Sequence, residues 1–370
     1  MKWSSILAFG AVVVALAIVG VWGYGFFVAP ESIESIEAKW ARAGHSDFTS
    51  RAFTRWDEDE PPVVPPVCAR CHSLTGYLDY LGADGTPAGQ VDRVAGIGTV
   101  ISCAACHNPA AQELRQVTFP SGIEVMENTR AANCMQCHQG RAATPSVERA
   151  IAGLDADAIS EDLSFINVHY AVAAATLLGG DAEGGYQYAG KSYVGRFEHV
   201  ADYETCSDCH DPHSTAINPD TCSPCHLNVV DQADLRDIRQ SAVDYDGDGD
   251  TNKPIAAEIA TFHDALYAAI QDYAADVLGQ PIVYGYGTFP YFFHDTNADG
   301  IADADETNFG NRYTAWSPRL LQAAYNYQFV MKDPGAYAHN APYALQLLYD
   351  SLEDLNQAVP VTALERFTRP

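Results

Sequence analysis

Every cysteine of this chain belongs to one short pattern, Cys-x-x-Cys-His, which occurs five times. Two thiols at this spacing can form thioether bonds with the two vinyl groups of one haem. The histidine that follows is then held beside the porphyrin and becomes an axial ligand of the iron. We therefore expect five c-type haems. The residues that would bind them are Cys68, Cys71, His72, Cys103, Cys106, His107, Cys134, Cys137, His138, Cys206, Cys209, His210, Cys222, Cys225 and His226.

Zinc is the alternative ligand for these cysteines, because two Cys-x-x-Cys pairs can build a four-cysteine zinc site. Two observations count against it. A histidine follows all five pairs, although a zinc ribbon needs none there, and an odd number of pairs would leave one without a partner. The pattern therefore favours haem.

Seven further histidines lie outside the motifs, and five irons need at most five of them as second axial ligands. This supply allows every haem to be bis-histidine, low-spin and closed to substrate, which is typical of electron transfer rather than catalysis. His213 follows His210 by three residues, too close to reach the opposite face of the same iron, so we expect it to bind a neighbouring haem. The predicted second ligands are His45, His169, His199, His213 and His339; His263, Met126 or Met331 could replace the last of these, and His294 is assigned to an acidic loop.

Two acidic loops have the spacing of calcium ligands. The first has oxygen ligands at positions 1, 3, 5, 9 and 12 of an EF-hand-like loop, glycine at position 6 and a backbone carbonyl at position 7. The second repeats only the front half, and Glu258 could complete it from the following helix. A solvated acidic turn is the alternative in both cases. The predicted ligands are Asp295, Asn297, Asp299, Ile301, Asp303 and Glu306 in the first loop, and Asp244, Asp246, Asp248 and Asp250 in the second.

The elements that must position these residues are predicted to be mainly α-helical, with much irregular structure. We expect a multihaem array at residues 31–230 and a C-terminal helical cap with the acidic loops at residues 231–370. Helices are predicted at 160–178, where small side chains surround His169, at 255–278, from Ser317-Pro318 to about 332, and from Pro342 to Leu355. The proline-rich stretch before Cys68 is expected to be extended.

The composition indicates the location of the chain and the kinds of partner that it can bind. With 48 acidic and 21 basic residues, the chain has a formal net charge of −27, which should repel nucleic acid and favour basic partners. An uncharged segment at residues 6–28, preceded by Lys2, is long enough to span a bilayer. We expect residues 1–30 to anchor the chain in the cytoplasmic membrane with the remainder outside, or to be a signal that is cleaved to release a secreted protein.

The segment from Cys206 to His226 resembles a region shared by octahaem tetrathionate reductase, hydroxylamine oxidoreductase and their non-catalytic electron-transfer relatives. His339-Asn340, followed by Tyr343-Ala344-Leu345, is similar to a segment that supplies a distal ligand in pentahaem nitrite reductases. The resemblance implies haem ligation but no particular reaction. Enzymes of that superfamily carry a lysine in place of a motif histidine, or a modified open haem. This chain has no Cys-x-x-Cys-Lys motif.

The sequence therefore predicts a pentahaem c-type cytochrome that moves electrons outside the cytoplasmic membrane, with other cytochromes or a membrane oxidoreductase as its redox partners. One alternative is a reductase or oxidase of small nitrogen or sulfur compounds at one open haem. A second is a subunit of an extracellular conductive assembly, in which the chain associates with copies of itself.

Overall fold

The computed structural model describes residues 31–201 and 203–370. The expected membrane anchor or signal at residues 6–28 lies outside this range. Within these two ranges, no helix combines the length and the apolar character that crossing a bilayer requires.

Short helices occupy the first part of the chain and long helices the last part, which confirms the predicted mainly α-helical class with much irregular structure. The helices are α1 (Ile33–Trp40), α2 (Arg51–Thr54), α3 (Pro66–His72), α4 (Leu74–Tyr80), α5 (Cys103–Cys106), α6 (Pro109–Glu113), α7 (Thr129–Met135), α8 (Thr144–Ile151), α9 (Ala173–Leu178), α10 (Cys206–Cys209), α11 (Ile255–Asp276), α12 (Pro318–Met331), α13 (Ala336–His339) and α14 (Ala341–Leu355).

Strands are few and short in the described residues. They form three antiparallel pairs, with Val63 opposite Gly96, Val117 opposite Val125, and Val283 opposite Phe293. The strands are β1 (Val63–Val64), β2 (Ala95–Gly96), β3 (Gln116–Thr118), β4 (Glu124–Met126), β5 (Ile282–Tyr284) and β6 (Phe292–His294).

The long C-terminal helices begin and end where the sequence signals place them. Ser317 caps α12 by accepting a hydrogen bond from the backbone N–H of Leu320, and Pro318 occupies the first turn, where its missing N–H is not needed. Asn340 caps α14 in the same way through the N–H of Tyr343. The helix predicted at 255–278 is α11, which ends at Asp276. These three helix predictions are therefore confirmed to within about two residues.

The helix predicted at residues 160–178 is wrong over most of its length. Only α9, Ala173–Leu178, is helical, and the backbone before it is irregular. His169 has φ +73° and Ala171 has φ +60°, a left-handed conformation that no α-helix accommodates. The small side chains of this segment favour close packing instead, since Val168, Val172 and Ala175 are completely buried.

Helices α11, α12 and α14 pack against one another around fully buried side chains such as Leu266, Tyr325 and Leu348. The same core continues into the chain before the fourth motif. The N–H of Gly185 donates to the hydroxyl of Tyr343, and the N–H of Tyr186 donates to Asn326. The predicted cap thus shares its core with part of the predicted haem region, and the boundary at residue 230 stays a prediction.

Candidate haem sites

A short helical turn carries each of the first four motifs. Residues three apart lie on the same side of such a turn, so both cysteines of a pair point the same way. The first motif is in α3, the second in α5, the third in and just after α7, and the fourth in α10. The fifth motif follows a 3-10 turn at Pro219–Thr221. The local fold therefore presents two thiols and one imidazole together at each position.

Every motif histidine faces one histidine from outside the motifs. The distances between ring centres fall in a narrow range: His72 and His169 at 5.8 Å, His107 and His213 at 6.2 Å, His138 and His45 at 6.2 Å, His226 and His199 at 6.1 Å, and His210 and His339 at 6.4 Å.

This spacing fits one metal ion between the two rings of each pair. A ligating imidazole nitrogen lies roughly 2.0 Å from a first-row metal, and the ring centre lies about 1.1 Å further away. Two imidazoles on opposite faces of one iron therefore have ring centres about 6.2 Å apart. The five observed distances all lie close to this value.

The paired histidines line one connected cavity of about 2720 Å³, together with every motif cysteine except Cys103. A pocket for a single small ligand usually measures roughly 300–1,000 Å³, so this cavity has room for several large groups. The donor set, the ring spacing and the volume therefore all fit haem groups.

The motifs are also close to one another within this cavity. The sulfur of Cys71 lies 3.9 Å from the carbonyl oxygen of Gln136, and the sulfur of Cys137 lies 3.9 Å from that of Arg70. The first and third motifs are thus in direct contact with each other. Helix α7, which contains Cys134 of the third motif, packs against α10, which contains Cys206 of the fourth.

The turn after the fourth motif explains how two nearby histidines serve different partners. One carboxylate oxygen of Asp211 accepts hydrogen bonds from the N–H groups of His213 and Ser214, and the other binds the ammonium of Lys39 at 2.8 Å. Burial alone would raise the pKa of Asp211, but these hydrogen bonds together lower it well below its usual range. The charged carboxylate therefore fixes a tight turn, which points His213 towards His107 and away from His210.

Backbone carbonyls set the tautomer of two motif histidines. Nδ1 of His72 lies 2.7 Å from the carbonyl oxygen of Ala52, and Nδ1 of His210 lies 3.2 Å from that of Thr215. A carbonyl oxygen can only accept, so Nδ1 carries the proton. Nε2 then keeps the lone pair that a metal requires.

Burial keeps several of these rings neutral. It lowers the pKa of His138 to about 4 and that of His169 to about 4, because the charged imidazolium would lose its hydration in the cavity wall. Both side chains are therefore neutral near pH 7 and can bind iron.

His339 differs because a carboxylate touches it. Both oxygens of Asp333 lie 2.9 Å from Nδ1 of His339. Burial acts to lower the pKa of His339, but the negative charge of Asp333 and its hydrogen bond outweigh burial, and the pKa is raised. Asp333 belongs to no motif, so no signal in the sequence predicted this contact.

The remaining candidate ligands lie elsewhere. His263 stacks on Tyr327, and its Nε2 lies 3.0 Å from the carbonyl oxygen of that residue. His294 lies 3.1 Å from the hydroxyl of Thr314. Met126 is 70% exposed on β4, whereas Met331 is part of the cavity wall. Neither of these histidines faces a motif histidine, whereas His339 faces His210.

Lys332, which no motif in the sequence indicates either, is buried in the wall of the same cavity. Its ammonium has no hydrogen-bond acceptor among the described residues and is surrounded by the rings of Tyr170, Tyr291 and Tyr286, with centres at 3.8, 4.4 and 4.5 Å. Cation–π attraction to three rings offsets part of the cost of burying this charge.

The loop at 295–306 closes on itself through its first and last carboxylates. Asp295 accepts a hydrogen bond from the N–H of Gly300, and Glu306 accepts from the N–H and hydroxyl of Thr296. The second oxygen of each carboxylate, Oδ1 of Asp295 and Oε2 of Glu306, is buried without a partner among the described residues. Asn297 contacts Asp299 and Asp303, and the N–H of the exposed Ile301 donates to Asp299.

The second loop brings together Asp244, Asp246 and Glu258, each with an oxygen within 4.8 Å of the others. Oδ1 of Asp246 and Oε2 of Glu258 are buried and lack partners among the described residues. Lys253 binds Asp246 and Asp248, so the loop already contains one cation. The predicted ligands Asp248 and Asp250 do not belong to this group of three, and Asp250 accepts a hydrogen bond from the N–H of Asn252.

Comparisons of the sequence with known proteins find related haem proteins. Residues 98–143 match the doubled CXXCH motif family. The chain is 29% identical over 373 residues to the C-type polyheme cytochrome OmcC of Geobacter sulfurreducens, covering 84% of this chain and 45% of that protein. It is 28% identical over 378 residues to the C-type polyheme cytochrome OmcB of Geobacter sulfurreducens, covering 85% and 47%. The chain thus spans less than half the length of these relatives. No solved structure gives a significant match.

Proposed function

Since the chain is a multihaem c-type cytochrome, we propose that it transfers electrons through five bis-histidine haems outside the cytoplasmic membrane. The proposal rests on one observation: each of the five motif histidines faces a histidine from outside the motifs, at a ring-centre distance that fits one metal ion between them. A bound haem would supply a reversible one-electron couple. With both axial positions taken by histidine, a substrate has no open coordination site, so the proposal is a carrier and not an enzyme.

In this proposal the ligand pairs link distant parts of the chain. His169 and His72 serve the first haem, His213 and His107 the second, His45 and His138 the third, His339 and His210 the fourth, and His199 and His226 the fifth.

The proposed order of the haems follows from contacts between motifs. The contact of the Cys71 sulfur with Gln136 and the packing of α7 against α10 support a path from the first through the third to the fourth haem. Only a short segment separates the fourth and fifth motifs, which extends this path to the fifth haem. His213 follows the fourth motif and faces His107, and this brings the second haem to the same junction.

The location and partners belong to the same proposal. Thioether attachment of haem takes place outside the cytoplasmic membrane, so the described residues would work there, anchored by residues 6–28 or released. Other cytochromes or a membrane oxidoreductase would exchange electrons with the chain. A net charge of −27 favours partners with basic docking surfaces at physiological ionic strength.

The mature protein tests this function directly. Its mass should exceed that of the polypeptide by five haems, and a reductive titration should take up five electrons per chain. The ferric spectrum should be entirely low-spin, and the reduced protein should not bind carbon monoxide. A high-spin component in the unmodified protein would instead favour catalysis at an open haem.

We further propose that both acidic loops bind calcium. Buried carboxylate oxygens without partners are costly, and a cation held by Asp295 and Glu306 would neutralise both. Lys253 partly neutralises the loop at 244, so calcium should bind there more weakly. Calorimetric titration of the chelator-treated protein with calcium should reveal a tighter site that Glu306→Gln removes and a weaker site that Glu258→Gln removes. Unchanged binding heats in both variants would refute the assignment.

A further inference from the structure

The carboxylate of Asp333 is built into the wall of the haem cavity beside one proposed iron ligand. It lies in the loop between α12 and α13 and is only 4% exposed. The N–H of Gly335 donates to Oδ1 at 3.1 Å, and both oxygens lie 2.9 Å from Nδ1 of His339. Two independent contacts thus fix the carboxylate against this ring.

No other histidine of the five facing pairs has such a neighbour within the described residues. Three of the other rings have an Nδ1 contact, each to a neutral group: the carbonyl of Ala52 for His72, the carbonyl of Thr215 for His210, and the side-chain amide of Gln240 for His226. The single histidine–carboxylate pair found in residues 31–201 and 203–370 is His339 with Asp333. The five haem sites are therefore electrostatically unequal.

A carboxylate that accepts the Nδ1–H of a ligating imidazole raises the basicity of that ligand. Greater electron donation stabilises ferric over ferrous iron and lowers the reduction potential. The effect is strong where the pair is buried, because a low local dielectric strengthens a charge-assisted hydrogen bond. We propose that Asp333 is a positioning residue that acts through His339 to lower the reduction potential of the haem attached at Cys206 and Cys209.

This inference rests on the proposed ligation of that haem by His210 and His339. It adds an energetic feature to the proposed path, because the fourth haem lies at the junction with the third, fifth and second. With a lowered potential at this junction, the fourth haem would be among the last to be reduced and among the first to pass its electron on.

The test is a spectroelectrochemical titration of the full mature chain carrying Asp333→Asn. Asparagine keeps the shape of the side chain but removes its charge. We expect the midpoint potential of one haem to rise while the other four stay unchanged, with all haems still low-spin and closed to carbon monoxide. The low-spin electron paramagnetic resonance signal of the same haem should shift, since its ligand field depends on the basicity of His339.

A matched control is Asp79→Asn. Asp79 is equally buried but accepts hydrogen bonds from Thr86 and from the N–H of Asp92, and it contacts no histidine. All five potentials should remain unchanged in this variant. If Asp333→Asn prevents maturation, Asp333→Ser removes the charge with a smaller side chain. A rise of one midpoint potential and a shift of one resonance signal in that variant support the proposal, and unchanged values refute it.

His339→Ala separates this inference from the proposed function. If the variant opens one haem to carbon monoxide, the ligation stands. If Asp333→Asn then shifts no potential, or shifts all five equally, the tuning by Asp333 is refuted. If His339→Ala leaves all five haems low-spin and closed, the ligation itself is wrong and the inference is refuted with it.

Discussion

Replacing His213 with alanine should open a single haem, that attached at Cys103 and Cys106. The ring of His213 is nearly parallel to that of His107, at an interplanar angle of 11° and a centre distance of 6.2 Å. An iron midway between the rings would lie about 3.1 Å from each ring centre, as expected for direct ligation. Alanine has no atom that reaches this position, so the iron keeps one axial nitrogen.

The size of the effect follows from the number of motifs. One of five haems should become high-spin in the ferric state, and the reduced variant should bind one carbon monoxide molecule per chain. The unmodified protein should bind none. The gas fits because it occupies only the space nearest the iron that the imidazole has left.

The assay combines a carbon monoxide titration of the reduced protein with electron paramagnetic resonance of the oxidised protein. His294→Ala is the matched control, since that ring lies beside Thr314 and faces no motif histidine. The control should remain low-spin and closed. If His213→Ala binds no carbon monoxide and also stays low-spin, His213 is an ordinary residue of its turn and the second ligands need reassignment.

Three further outcomes concern stability and are checked by denaturation followed by circular dichroism. Glu306→Gln should lower stability in calcium by about 1–3 kcal/mol and remove the effect of chelators, whereas the exposed neighbour substitution Asp305→Asn should do neither; equal behaviour of the two would contradict the calcium site. Leu348→Ala should lower the free energy of unfolding by about 2–5 kcal/mol, because it leaves a cavity where α14 packs on α11 and α12. A decrease of less than about 1 kcal/mol would contradict this packing. The hydrogen-bonded ion pair with Arg319 lowers the pKa of Asp157 in the folded protein. The stabilisation by this pair is therefore fully present above the unfolded pKa of about 3.9 and is lost as the pH falls through the lower folded pKa. Asp157→Asn should be less stable than the parent by about 1 kcal/mol or less at pH 6, and this difference in stability should disappear as the pH falls below about 4.

Local features of this protein could be predicted from the sequence because they depend on residues that are adjacent along the chain. The two cysteines and the histidine of a motif are close together in the sequence, so one helical turn presents them side by side. The same holds for the N-cap of α12, where Ser317 reaches the N–H of Leu320, and for the front of each acidic loop, where aspartates bind nearby glycine N–H groups.

The set of second ligands could also be proposed from the sequence. The motif histidine that each of them faces could not. His45 precedes the first motif yet faces His138 of the third, and His199 precedes the fourth motif yet faces His226 of the fifth. These pairings depend on the path of the chain around the cavity. A count of histidines contains no information about that path.

The irregular segment before α9 and the contact of Asp333 with His339 were decided by tertiary structure alone. Helix propensity favoured a helix through His169, but packing against α12 prevails: Gln328 accepts the N–H of Val168, and His169 adopts a left-handed conformation. Asp333 contacts His339 only because the loop between α12 and α13 turns its carboxylate towards a ring six residues further along the chain. Local sequence determined which groups can bind haem, and the long-range packing of the core decided which of them meet.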